Sequence, residues 1–167
     1  MLTSDGPLTI NRWTILVHPL FLAQLEKLVA AVESDKAKDP KNYKRLPNAK
    51  LLATIAEITL KRIPANPADA RYRQGDTLGD GYKHWFREKF GNARFRLFFR
   101  FDSRAKILVY AWVNDQQTLR TYGSRNDAYA VFSAMLKNGN PPDNWQSLVA
   151  TCKDAHALES VFKKDAG

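Results

Sequence analysis

A chain of 167 residues with 44% hydrophobic content is long enough to bury a core and too apolar to be a disordered tail. Its formal charge of +9 points to a polyanion or an acidic protein as partner. Cys152 is the only cysteine, which excludes an intrachain disulfide, and no apolar run is long enough to span a bilayer.

Met1–Thr9 lacks the basic start and apolar core of a secretory signal, so the expected location is the cytoplasm. Trp13–Val17 is short, apolar and partly β-branched and predicts a buried strand. His18-Pro19 ends it and opens a helix to about Asp35, with Phe21, Leu25, Leu28 and Val32 on one face. A second helix is expected from Asn48, acting as its cap, with Leu51, Leu52, Ile55 and Ile58 inward and Pro64 and Pro67 as its stop. Ala65–Tyr82 reads as a long loop carrying Arg71, Tyr72 and Arg73.

Three strands follow: His84–Phe90, Ala93–Phe101 and Lys106–Val113. The short turns between them imply an antiparallel meander. A third helix is expected over Asp127–Lys137, ended by Gly139 and Pro141-Pro142. Asp143 is expected to cap a last helix over 143–164, with Trp145, Leu148, Val149 and Cys152 on its apolar side. No repeat or linker divides the chain, so one domain over 1–167, with a core of about 13–145, is expected.

The middle strand is the informative stretch. Its odd positions, Ala93, Phe95, Leu97, Phe99 and Phe101, are all apolar, whereas its even positions are Arg94, Arg96, Phe98 and Arg100. Alternation puts the first set into a core and the second on the opposite face. Guanidinium groups beside aromatic rings suit phosphate and base recognition. Arg71 to Lys106 holds ten basic and four acidic residues, a surplus of six out of the net nine. The faces carrying Arg87 and Lys89 on one strand, and Arg94 and Arg96 on the next, can coincide.

The residue inventory excludes several chemistries. His18, His84 and His156 have no metal-motif spacing, and Asp76, Asp80 and Asp102 fall in turns rather than in a carboxylate cluster. Cys152 lies on an apolar stripe, and no phosphate-cradling glycine loop ends in a lysine-serine pair. What remains is a basic, aromatic sheet with His84 at its edge. RNA is cut without metal when its own 2′-hydroxyl attacks the adjacent phosphorus. The protein must then align the nucleotide, stabilise charge on phosphoryl oxygens and move two protons. Arginine and lysine meet the charge requirement, His84 can move protons, and Tyr122 can stack on a base or donate a hydrogen bond. These features alone do not separate cleavage from binding.

The run Lys83–Phe90, then Arg94–Phe101, Trp112–Asp115, Thr118–Gly123, Asp127-Ala128-Tyr129 and Gly139–Pro142, resembles the YhaV family of bacterial toxins. His18-Pro19, Lys38-Asp39-Pro40 and Tyr72–Gly75 also fit, so the similarity covers about Trp13 to Trp145. The resemblance implies an α+β, RelE-like fold: two N-terminal helices packed on a twisted, mainly antiparallel sheet, with additional C-terminal helices. It implies a toxin of a type II toxin–antitoxin system, an endoribonuclease that needs no metal or other cofactor and inhibits translation. The implied partners are a PrlF-like antitoxin with an AbrB-like DNA-binding fold and RNA, including ribosome-bound mRNA. Operator DNA would be reached only through the antitoxin.

By position, the resemblance places Arg87, Lys89, Arg96 and Tyr122 in the catalytic set, with Arg120 as the nearest candidate for a late arginine. His84 joins them on its chemistry. Arg71, Arg73, Lys83, Trp85, Arg94 and Arg100 are expected to contact RNA, with Trp85 stacking on a base or instead packing under the antitoxin, and with the antitoxin as the other partner for Arg94 and Arg100. Two other readings stay open: a toxin that binds its protein or nucleic-acid target without cleaving it, and a basic face that mainly holds an acidic antitoxin segment.

Overall fold

The computed structural model describes residues 7–115, 118 and 127–166. A short strand, β1 (Thr9–Ile10), turns through Asn11 and Arg12 into β2 (Trp13–Val17). His18 then caps α1 (Pro19–Lys38): its Nδ1 accepts the Leu20 N–H at 3.0 Å, and Pro19 occupies the first turn, where no amide donor is needed. Burial pulls the His18 pKa below its ordinary value, which favours the neutral ring that this acceptor role requires.

The second helix, α2, spans Pro47–Glu57. Leu46 takes the cap position, so the expected Asn48 cap is corrected; the Asn48 amide instead donates to Asp35 Oδ2 at 3.1 Å. The helix does not stop before Pro64. It widens into a π-helical turn over Ile58–Arg62 and closes as α3 (Ile63–Ala65), which contains Pro64. Beside the widened turn, the Thr59 carbonyl accepts the buried Tyr110 hydroxyl at 2.6 Å.

The meander is present as β3 (Phe86–Phe90), β4 (Phe95–Asp102) and β5 (Ile107–Val113), paired antiparallel in that order. The starts of β3 and β4 each fall two residues later than expected, while β4 ends and β5 begins one residue later. His84 and Trp85 precede β3, and Ala93 and Arg94 belong to the turn before β4. In that turn Gly91, Asn92 and Ala93 all have positive φ, so alternation starts only at Phe95. Pairing of β2 with β5 is parallel, from Thr14 opposite Ile107 to Val17 opposite Tyr110. The sheet order is β1-β2-β5-β4-β3.

Asp127 caps α4 (Ala128–Lys137) by accepting the Tyr129 N–H. The expected single helix over 143–164 is corrected to two. Asn144, not Asp143, caps α5 (Trp145–Thr151). The chain then adds β6 (Lys153–Asp154) to the edge of β2 and begins α6 (His156–Ala166). No helix among the described residues is long and apolar enough to cross a membrane.

This α+β fold buries two cores, one on each face of the sheet. On the first, Phe21, Leu25, Leu52 and Ile55 of α1 and α2 meet Leu97, Phe99 and Tyr110, joined by Leu158 and Val161 of α6. On the second, Phe98, Val109 and Trp112 meet Phe132 and Leu136 of α4, Leu148 of α5, and Trp85. The Phe98 and Phe132 rings stack 4.3 Å apart, and Trp112 stacks on Phe132 at 5.6 Å.

Candidate active site on the second face of the sheet

Alternation along β4 correctly sends Phe95, Leu97, Phe99 and Phe101 to the first core. The opposite face is not open sheet. The second core covers its middle, and its arginines are held among aromatic side chains. Arg96 is only 6% exposed, and its guanidinium lies 5.5 Å from the Tyr129 ring centroid.

Tyr129 organises the first cluster. Its hydroxyl accepts Nε–H from Arg87 and from Arg96, each at 2.9 Å. The antiparallel register makes this possible, because Arg87 faces Phe98 and Lys89 faces Arg96 across the β3–β4 pair. Arg87 also donates to the Arg71 carbonyl at 2.8 Å, and Arg96 to the Ala93 and Phe95 carbonyls at 2.6 and 3.1 Å. Asn114 completes the support by accepting the Arg96 backbone N–H at 2.6 Å while donating to the Arg94 and Thr118 carbonyls. Among the described residues neither arginine is paired with a carboxylate. Two always-charged groups thus share one neutral oxygen, an arrangement that leaves room for an external anion.

A second cluster surrounds Asp143. Its Oδ1 accepts the Trp85 indole N–H at 2.8 Å and lies 2.7 Å from His84 Nε2. Its backbone carbonyl accepts from Arg100, whose guanidinium sits 5.4 and 5.1 Å from the Trp85 and Trp145 ring centroids. Burial lowers the Arg100 pKa, and the charge of Asp143 opposes that shift.

Residues 15–153 match the YhaV toxin family, described as a toxin with endonuclease activity, of a toxin–antitoxin system. The chain belongs to this family. Toxin YhaV of Escherichia coli O6:H1 is 45% identical over 153 residues, covering 91% of this chain and 99% of the relative. Ribonuclease toxin YhaV of Escherichia coli strain K12 is 44% identical over the same share of each chain. No solved structure matches significantly.

For this YhaV-family chain, the structure therefore brings Arg87, Lys89 and Arg96 together, with Lys89 exposed opposite Arg96. His84 falls into the Asp143 cluster, and its side chain is 39% exposed. Arg71, Arg73, Lys83 and Arg94 are exposed. Arg71 donates to the Tyr72 hydroxyl at 2.7 Å, a bond that raises its pKa, and Lys83 pairs with Asp76 at 3.3 Å. Two expected RNA contacts are corrected. Trp85 has no exposed surface, because α4 and α5 cover the face on which alternation places it, so its ring presents no plane to a base. Arg100 is half-buried between two indoles and spends an N–H on Asp143, so it holds the loop before α5 rather than facing solvent. Arg120 and Tyr122 lie outside the described residues.

The sequence reading missed Tyr129, Asn114 and Asp143. Tyr129 falls within the expected third helix, but nothing local shows that its phenol will reach two arginines from the sheet. Asp143 sits beside Asn144, and both are good helix caps; only the tertiary contact with Trp85 separates their roles.

Proposed function

We propose that this chain is a metal-independent endoribonuclease toxin that cleaves RNA, mRNA included, by 2′-hydroxyl attack and so inhibits translation. The observation that carries the reading is the convergence of Arg87 and Arg96 on the Tyr129 hydroxyl without a carboxylate partner among the described residues. The strain K12 relative is a ribonuclease toxin, which supports RNA as the substrate. In the proposed step Arg87 and Arg96 hold the scissile phosphate and stabilise the charge that develops on its oxygens. Lys89, exposed beside Arg96, neutralises charge or protonates the leaving oxygen. His84 takes the 2′-hydroxyl proton.

Arg120 and Tyr122 are proposed to orient the nucleotide. Asn114 and Tyr129, described residues on either side of that segment, both bond Arg96. Exposed Arg71, Arg73, Lys83 and Arg94 extend the cationic surface for RNA. In the proposed step the charge-stabilising role falls to the cationic side chains of Arg87, Arg96 and Lys89. The proposal extends to a RelE-like fold within one domain, a cytoplasmic site of action and inhibition by a PrlF-like, AbrB-fold antitoxin that covers this cationic surface.

The test is incubation of the purified protein with RNA, with and without ribosomes and with chelator. Cleavage leaving 2′,3′-cyclic or 3′-phosphate ends in chelator is expected. Folded Arg87→Ala protein should be slower by roughly 100- to 1,000-fold. A divalent-ion requirement, or undiminished cleavage by that variant, would overturn the assignment.

A further inference from the structure

We propose that Asp143 is a positioning residue that fixes the tautomer of His84, making Nδ1 the nitrogen that receives the substrate proton. A tryptophan N–H can only donate, so Asp143 Oδ1 must accept from Trp85 Nε1. An ionised carboxylate has no hydrogen to give, so the contact at 2.7 Å from the same oxygen to His84 requires Nε2 to carry the proton. Nδ1 then keeps its lone pair. No described group bonds it, and the side chain is 39% exposed.

The carboxylate is not an incidental surface contact. Trp85 is fully buried and packs edge-on against Phe132 at 5.1 Å, so its N–H is fixed in direction. Arg100 on β4 ties the Asp143 carbonyl to the sheet and is itself held between Trp85 and Trp145. Asp143 is thereby set by the sheet from one side and by the indole from the other. This is the arrangement in which a carboxylate orients an imidazole and stabilises the imidazolium it becomes. The other groups around His84 are Tyr82, whose ring stands 6.5 Å away, and Lys83, whose charge is paired with Asp76.

The inference rests on the RNA-cleavage reading for its chemistry. In that step the 2′-O–H bond breaks and its proton goes to Nδ1. The 2′-oxygen forms the new bond to phosphorus, the bond from phosphorus to the 5′-oxygen breaks, and that oxygen takes a proton from the Lys89 ammonium. His84 and Trp85 lead directly into β3, which carries Arg87, so the two clusters lie on one continuous stretch of chain.

The test uses long-range proton–nitrogen NMR of histidine-labelled full-length toxin, with His84 assigned by its loss in His84→Gln, alongside cleavage rates against pH. The wild type should show the Nε2–H tautomer. In Asp143→Asn, loss of the carboxylate charge should move the ascending limb of the rate profile to lower pH, with the rate at pH 7 at least about tenfold lower. Trp85→Phe should keep the wild-type tautomer, because the Asp143–His84 contact is retained. An Nδ1–H tautomer in the wild type overturns the proposal whether or not Asp143→Asn folds. So does a slower Asp143→Asn enzyme whose rate profile does not move along the pH axis, since that marks a merely structural role. Absence of RNA cleavage by the wild type would sink the functional reading and leave the tautomer result standing.

Discussion

The two faces of β4 both bury aromatic rings but differ in what they put among them. On the first face Phe99 meets Tyr72, Phe86 and Tyr110, and the buried charge at the margin, Glu88, is matched by Arg62 at 3.3 Å. On the second, Phe98 lies between Arg96 and Arg100, and neither guanidinium bonds a carboxylate directly; each spends its N–H groups on neutral oxygens. Burying a charge without an opposite partner costs stability, and a well-packed apolar side chain would serve the fold as well or better. The first face is therefore accounted for by packing. The second is not accounted for by packing alone: Arg100 ties down the loop before α5, and Arg96 is the group for which an external anion is proposed.

The sharpest way to break this contrast is to truncate one ring on each face. Phe99→Ala and Phe98→Ala should each cost about 3–5 kcal/mol, measured by urea denaturation. Folded Phe99→Ala molecules should cleave at the wild-type rate. Phe98→Ala should also lose rate, because that ring packs edge-on to Tyr129 at 5.6 Å. Equal rates per folded molecule would erase the distinction. Tyr129→Phe is a smaller change confined to the second face. It removes the acceptor shared by Arg87 and Arg96, so cleavage should fall by about tenfold while stability shifts by about 1 kcal/mol.

The smallest effect belongs to His18, far from the cationic face. Its pKa is lower in the folded protein, so the stability it contributes is present above the unfolded value of about 6.5 and is lost as pH falls through the folded value. Thermal midpoints should therefore drop below about pH 6.5 in the wild type. The drop should be smaller in His18→Asn, whose amide oxygen can take over the cap without titrating.

Much of the fold was legible because it is written in local pattern. The alternation Phe95-Arg96-Leu97-Phe98-Phe99 assigned faces correctly, short turns gave the meander, and His18-Pro19 marked the start of α1. Local pattern ran out where backbone pairing or coverage decided the outcome. Lys153-Asp154 has no apolar signature, since β6 joins β2 through backbone bonds alone and both residues are exposed. Alternation placed Trp85 on the face of Arg87, which is right, but it cannot say that helices from fifty residues later will cover that face. The same limit hid Tyr129. A helix pattern reports that the ring turns inward, not that its hydroxyl ends between two arginines. The cationic members of the site were readable as residue types, and the neutral side chains that set their geometry were not.

The central claim is that Arg87 and Arg96 are held side by side for a phosphate rather than for the fold. Arg96→Lys tests it most directly, because lysine keeps the charge but loses the planar fork that reaches Tyr129 and a phosphate together. The rate of RNA cleavage under single-turnover conditions and the urea midpoint should be measured on the same preparation. A rate lower by roughly 100-fold, with stability changed by no more than about 1 kcal/mol, is the predicted result. A rate near wild type, or a loss of rate that only follows a loss of folded protein, would contradict it.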